Sequence, residues 1–481
     1  MNNRIGKGLF WKLLERFGVQ GSQFVLQIIL ARILDPEHYG VLSLMVIFTT
    51  LANVFIQNGF NTALIQNKDV TERDYSSVFW VTLCVSGVIY GIIFLCAPLI
   101  GRFYQMPSIV LPLRVLALIL IPGALNSVQL AKISREMNFR KIFVSNLVGI
   151  LISGVVSIIL ALKGAGLWAL VAQTMLNVFV VCIVMRFTSG LRLRFVCDWS
   201  RVITLFRFGW KLLVSGLLDT LYQDIRSLVI GKKYDSSTLG YYNRGKQFPQ
   251  FIINAVNSTV QSVMLPAMAE KQDDRNAVKL LTRNSIMLSA YLIFPIMAGL
   301  AGIATPLVRL LLTDKWLPSV PYMQIYCFTL AFYPVHSCNL QAINAMGRSD
   351  IFLKLELIKK TIGLSALVIA VVCFQTPIAI AMTGVFTVFT SCFINAWPNK
   401  KLIGYSYKEQ MLDLLPTFLI SAVMLGCVLA VGLLPLSNGW ILLLQVLTGI
   451  AVYVILSALL RLQPYRLLRS TVLNKLYKKE I

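Results

Sequence analysis

Apolar runs of about 20 residues, separated by short stretches rich in basic residues and turn formers, recur from one end of the chain to the other. A hydrocarbon core of about 30 Å takes roughly 20 helical residues, so each run is long enough to cross a bilayer. The pattern predicts about 14 helical spans at approximately 8–33, 41–65, 76–100, 109–130, 143–162, 166–187, 208–230, 248–268, 284–306, 320–346, 352–373, 376–398, 412–434 and 438–460. The pattern is most broken between Gly101 and Pro122 and between Pro306 and Pro334, because proline interrupts a helix yet is tolerated inside membranes.

Polar positions inside these spans are periodic. In the first, Lys12, Arg16, Gln20, Gln23 and Gln27 step by three or four, which sets them on a single helix face. Span 7 carries Lys211, Ser215, Asp219, Tyr222 and Arg226 in the same way, with Gln223 and Asp224 beside them. Asn53, Gln57 and Asn61 line span 2, and Gln250, Asn254, Asn257 and Gln261 line span 8. Faces of this kind turn away from lipid, toward a wet cavity or toward another helix.

The pattern is also written twice. Trp11-Lys12-Leu13-Leu14 returns as Trp210-Lys211-Leu212-Leu213, Asp35 with Gly40 returns as Asp235 with Gly240, and Pro122 with Gln129 faces Pro334 with Gln341. Each copy holds an even number of spans, so both keep one orientation and are related by a pseudo-two-fold axis along the membrane normal. The expected fold is an all-α polytopic membrane protein with two pseudo-symmetric six-helix lobes around a central cavity. Residues 1–190 make the first lobe, 191–207 a basic cytoplasmic linker and 208–400 the second lobe. Residues 401–460 form an appended helix pair, and 461–481 a basic cytoplasmic tail.

Composition agrees, with 57% hydrophobic and 13% charged residues. The net charge of +24 is dispersed over many short loops, as the positive-inside rule expects, and excludes a nucleic-acid surface. Most Lys and Arg fall on the side of both termini, which places these in the cytoplasm. No two of the nine cysteines form a C-x-x-C pair, and His38 and His336 are far apart. Neither a disulfide framework, a metal site nor a cofactor is expected.

The candidate cavity residues are Arg16, Gln20, Gln23, Gln27, Asn53, Gln57, Arg114, Asp219, Gln223, Asp224, Arg226, Arg244, Lys246, Asn254 and Asn257. Arg and Lys suit an anionic group such as pyrophosphate, and amides suit sugar hydroxyls. A polyprenyl pyrophosphate carrying an oligosaccharide has both, plus a tail that stays in lipid. A drug or cation antiporter would want a pocket rich in carboxylates and aromatics, and a polysaccharide polymerase or ligase a long polar outer loop. No nucleotide-binding glycine loop or paired catalytic carboxylates are found, so the chain reads as a transporter rather than an enzyme. Asp219 and Asp224 are the candidates for an ion site.

The run Phe17-Gly18, Gln27, Leu30-Ala31-Arg32-Ile33-Leu34-Asp35-Pro36-Glu37-His38-Tyr39-Gly40, followed by Asn58-Gly59-Phe60 and Ala63-Leu64-Ile65-Gln66, resembles the opening of bacterial Wzx-type polysaccharide transporters. The resemblance is to the colanic-acid and teichuronic-acid exporter branch and extends over essentially the whole chain. It implies membership of the multidrug/oligosaccharidyl-lipid/polysaccharide exporter superfamily and alternating access. It also implies flipping of undecaprenyl-pyrophosphate-linked repeat units across the bacterial inner membrane, coupled to H+ or Na+ and serving a polysaccharide polymerase machinery. The related lipid II flippases have arginines on their first helices, and Arg16 stands in a suitable place.

Overall fold

The computed structural model of the chain describes residues 18–57 and 69–467, together with residues 11, 14, 61, 64 and 65. Every regular element among the described residues is helical. The helices are α1 (Gln20–Ile33), α2 (Pro36–Gln57), α3 (Glu72–Phe103), α4 (Pro107–Arg135), α5 (Phe139–Leu162), α6 (Leu167–Thr188), α7 (Trp199–Lys233) and α8 (Ser236–Glu270). There follow α9 (Arg275–Gly302), α10 (Ala304–Leu312), α11 (Val320–Ala331), α12 (Tyr333–Ala345), α13 (Ser349–Cys373), α14 (Pro377–Leu402), α15 (Tyr407–Val431) and α16 (Asn438–Leu459).

Among the described residues, nine helices combine spanning length with a mean hydropathy of 1.8 to 2.4: α2 to α6, α9 and α14 to α16. The others, apart from α10, which lies mostly between the expected spans 284–306 and 320–346, overlap expected spans but depart from that profile for physical reasons. Helices α7 and α8 carry long polar faces, and α13 holds Glu356, Lys359 and Lys360. The expected span 320–346 is two helices, because Pro334 opens α12 in its first turn, where a missing N–H costs nothing. The expected span 284–306 likewise ends at Gly302, and α10 starts afresh with Pro306 in its first turn. Pro122 is buried as the third residue of the α-helical stretch Leu120–Arg135 within α4, directly after the 3-10 turn Ala117–Ile119, so its missing N–H also falls in a first turn. Lys12, Arg16 and the tail from 468 onward lie outside the described residues.

Helix starts follow local chemistry. Thr71 caps α3 in a reciprocal box: its Oγ1 accepts from Asp74 N at 3.4 Å, and Asp74 Oδ2 accepts from Thr71 N at 2.8 Å. Ser406 and Glu409 repeat the box at α15. Asp198 caps α7 and Asp274 caps α9 through single carboxylate oxygens. Hydrogen bonds from the Ser200 hydroxyl and from the N–H groups of Arg201 and Ser200 hold the Asp198 carboxyl below the usual carboxylate range.

Two compact units emerge, Met1–Gly240 and Tyr241–Ile481. In the first, α5 pairs with α6, α2 and α3 pack on α4, and α7 rests on α2 and α3. In the second, α9 packs on α11, α12 and α15, α13 pairs with α14, and α15 with α16. Residues 199–207, the end of the segment read as a linker, are the first turns of α7. The remainder is a strap along the start of α3. Ser76 Oγ accepts from Arg194 N at 3.0 Å, Ser77 Oγ accepts from Asp198 N at 2.9 Å, and Trp80 Nε1 donates to Arg194 O at 2.9 Å.

The repeated Asp…Gly element has a packing reason inside the first unit. A Cβ built on Gly40 would stand 1.7 Å from Ser236 O, and one built on Gly240 would stand 2.1 Å from Pro36 O. The starts of α2 and α8 therefore meet backbone to backbone, each glycine making room for the other copy's carbonyl.

Candidate functional site

On α1, Gln20, Gln23 and Gln27 are half-buried, adjoining the buried Leu26 and Leu30. Leu26 packs over Gly154 of α5, where a Cβ would meet its side chain at 3.2 Å. The Gln23 Oε1 atom is buried without a hydrogen-bond partner. On α2, Gln57 Nε2 reaches Asn53 Oδ1 at 3.5 Å. Gly123 leaves Asn53 its space, since a Cβ there would stand 3.4 Å from that oxygen.

The most continuous polar face is on α7. Lys211, Ser215, Asp219 and Gln223 are all exposed at four-residue intervals, while Tyr222, Asp224 and Arg226 beside them are half-buried. Asp219, Tyr222, Asp224 and Arg226 each have an interaction partner. On α8, Gln250 Nε2 donates to Asn254 Oδ1 at 2.8 Å, and Lys246 is half-buried. The side chain of Asn257 and the whole of Arg16 lie outside the described residues.

Two of the candidate cations are occupied by packing. Arg244 is 5% exposed, lies over the buried Trp316 ring at 5.0 Å and donates to Gln247 Oε1 at 2.5 Å. Gly245 next to it presses against α11, a Cβ there meeting Tyr322 at 2.7 Å. Arg114 donates from Nε to Phe94 O at 3.1 Å, with its guanidinium 4.1 Å over the Phe94 ring. Among the candidates, Asn53 stands within hydrogen-bonding distance of Gln57, and Asn254 accepts from Gln250, one turn earlier on the same polar face of α8.

Sequence reasoning passed over a buried polar layer in the second unit. Asn339 of α12 and Gln410 of α15, both fully buried, exchange amide hydrogen bonds at 2.8 and 3.0 Å. Asn399 of α14 donates to Asn339 Oδ1 at 2.7 Å. Nearby on α13, Glu356 and Lys359 form an ion pair. The available signal was polar residues inside apolar runs, Asn395 and Asn399 one helical turn apart among them. The repeat supplied another: Gln129 is fully buried with neither amide atom partnered, and Gln341, its counterpart, leaves its Oε1 unpartnered.

The second unit also contains an apolar groove of about 500 Å3 between α9, α15 and α16, lined by Tyr291, Ile296, Leu300, Val428, Val446 and Tyr453 among others. Of its polar groups, Gln445 Nε2 donates to Val428 O at 2.9 Å and Tyr453 OH to Tyr291 O at 2.7 Å, while Gln445 Oε1 is buried without a hydrogen-bond partner.

The chain is similar to known proteins. The chain is 25% identical over 404 residues to the succinoglycan biosynthesis transport protein ExoT of Rhizobium meliloti, covering 84% of this chain and 79% of that one. It is 22% identical over 435 residues to the lipopolysaccharide biosynthesis protein WzxC of Escherichia coli, covering 89% and 87%. Among solved structures, the lipid II flippase MurJ in an inward closed conformation matches with a TM-score of 0.74 at 16% identity, over 96% of this chain and 99% of that one. An inward-facing multidrug transporter of the MATE family matches with a TM-score of 0.58 at 14% identity, over 86% and 98%. The family model described as "Polysaccharide biosynthesis protein" matches residues 29–321. With its N-terminal Wzx-like run and its polytopic helical fold, the chain belongs to this polysaccharide biosynthesis family of membrane transporters.

Proposed function

We propose that the chain flips an oligosaccharide linked to undecaprenyl pyrophosphate across the bacterial inner membrane, its termini on the cytoplasmic side, by alternating access of two lobes around a central cavity. The carrying observation is the exposed face Lys211, Ser215, Asp219 and Gln223 of α7. That helix has 35 residues, about 52 Å of axis, and Asp219 lies near its middle. A charged side chain exposed at that depth is stable against water and costly against lipid, so the face supports a hydrated path for pyrophosphate and sugars. The groove between α9, α15 and α16 offers an apolar seat for the prenyl chain. An ion gradient, of H+ or Na+, drives the cycle, and a polymerase machinery consumes the product.

The test is mass spectrometry of polyprenyl-linked lipids in a deletion strain, with upstream synthesis intact. Build-up of one lipid-linked oligosaccharide with loss of surface polymer is expected. An unchanged lipid pool and normal surface glycan would overturn the reading, and export of cationic dyes from vesicles would point to an antiporter instead. Asp219→Asn is expected to lower export about tenfold or more, at unchanged amounts of folded protein; full export would remove Asp219 from the path.

A further inference from the structure

The strap between α6 and α7 alternates covered and uncovered side chains. Leu191 is buried in a cluster with Tyr75, Val78 and Phe79 of α3, and Leu193 packs against that cluster, while Arg192 and Arg194 are exposed. An extended backbone produces this alternation, because successive side chains point to opposite sides. The backbone itself is fixed. Lys132 donates to Gly190 O at 3.1 Å, Arg186 donates to Leu191 O, and Trp80 and Ser76 hold both backbone polar groups of Arg194. Among the described residues neither the Arg192 nor the Arg194 guanidinium has an ion-pair partner, whereas Arg201 is committed to Asp74 at 3.3 Å. Asp198, the strap's one acid, is turned onto the N–H groups of Ser200 and Arg201.

Bulky rings accompany these arginines. Phe187, Phe195 and Trp199 are 84%, 91% and 64% exposed, and the Phe195 ring stacks on Trp80 of α3 at 4.8 Å. Large apolar groups so open are unusual against water and ordinary where a bilayer meets its headgroups. Position agrees. Helix α6 has 22 residues, about 33 Å of axis, so the strap leaves it where a hydrocarbon core of about 30 Å ends. The strap also runs along α3, whose most apolar stretch is 17% buried within the protein and therefore meets lipid over most of its surface.

We propose that the strap is a binding site for an anionic phospholipid, with Arg192 and Arg194 on the headgroup phosphate and Phe195 and Trp199 among the first acyl carbons. A zwitterionic lipid offers the same phosphate and tails but brings a cation that the two guanidiniums repel. A free phosphate or a soluble acidic protein offers charge but leaves the rings in water. The planar fork of arginine suits phosphate oxygens, and the fixed backbone avoids the ordering cost that a loose basic loop meets on binding. Because the strap joins α6 to α7 while pinned to α3, an occupied site ties the ends of three helices together. Which leaflet supplies the lipid rests on the cytoplasmic placement proposed above; the binding does not.

The experiment uses the full chain with Cys197, the strap's own exposed cysteine, as the single labelling site and the other cysteines replaced. A fluorophore there is read in nanodiscs that contain brominated phosphatidylglycerol or brominated phosphatidylcholine at equal mole fraction, since bromine quenches on contact. Phosphatidylglycerol is expected to compete for the strap about tenfold more strongly than phosphatidylcholine. That preference is expected to weaken with salt and to fall below about twofold in Arg192→Gln/Arg194→Gln. Lys400→Gln/Lys401→Gln, which removes the same charge from exposed positions in the last turn of α14, is expected to leave it intact. Equal quenching by the two lipids, a preference that survives the arginine variant, or one that the lysine variant lowers as much, would overturn the site. Strong quenching by aqueous acrylamide in every membrane would also overturn it and give the strap to a soluble acidic partner. A preference for the anionic lipid in a protein whose deletion leaves the polyprenyl lipid pool unchanged would keep the site and sink the flippase reading.

Discussion

Single residues show how far side-chain type carries a reading of this chain and where it stops. Arg244 has the composition of a cavity cation, but its guanidinium lies over Trp316 in the core. Which of its neighbours in space would be aromatic depends on how α8 meets the segment before α11, and no local pattern records that. The converse holds for Glu356 and Lys359, which pair with one another inside an apolar run. The amide pair Asn339 and Gln410 is of the same kind. Replacing Gln410 by Leu leaves Asn339 without its reciprocal partner in a dry interior, with an expected cost of about 1–3 kcal/mol. Thermal unfolding in detergent reads it, and an unchanged midpoint would mean that water reaches the layer.

Helices were the most legible level, because hydropathy and the bilayer's thickness act on each run independently of its neighbours. The span expected from residue 76 starts earlier, at Glu72, where Thr71 supplies a full reciprocal box. Thr71→Ala or Ser406→Ala is expected to cost about 1 kcal/mol, with faster hydrogen exchange confined to the first turn of α3 or α15. Exchange spread over the whole helix would contradict a purely local cap. The cap of α7 carries a pH signature as well. The folded value of the Asp198 carboxyl lies below its ordinary one, so its contribution is complete above the ordinary carboxylate pKa and is lost as pH falls through the lowered value. Asp198→Asn should keep the first turn protected and remove that acid sensitivity, as amide exchange at Ser200 and Arg201 would report. Less legible were the breaks at Ile303 and Phe332. Pro306 and Pro334 announced them, but Pro122, likewise in the first turn of an α-helical stretch, follows a 3-10 turn that lets α4 run on.

For the molecule as a whole, a repeat was visible in Trp-Lys-Leu-Leu and in the spacing of Asp and Gly. The sequence repeat restarts near Trp210, whereas the compact units divide between Gly240 and Tyr241, because α7 packs on α2 and α3. A repeat boundary reports how the chain is patterned, and a contact boundary reports where its buried surface lies. The contact of Gly40 with Ser236 and of Gly240 with Pro36 is expected to hold the starts of α2 and α8 together in this state. Gly40→Val should part them, adding a longer component to the distance distribution between spin labels at residues 37 and 237 in a background stripped of native cysteines. A distribution identical to that of the parent protein would show that the contact yields by local adjustment.

The same pair of glycines bears on descent as well as on motion. After a duplication, two copies of a segment ordinarily drift apart, each accumulating changes suited to its own surroundings. Here each copy occupies the volume that a side chain on the other would need, within 1.7 Å at one position and 2.1 Å at the other. Neither position can gain even a methyl group unless the other copy's backbone moves aside, so a change at either glycine is at once a change in the fit of both.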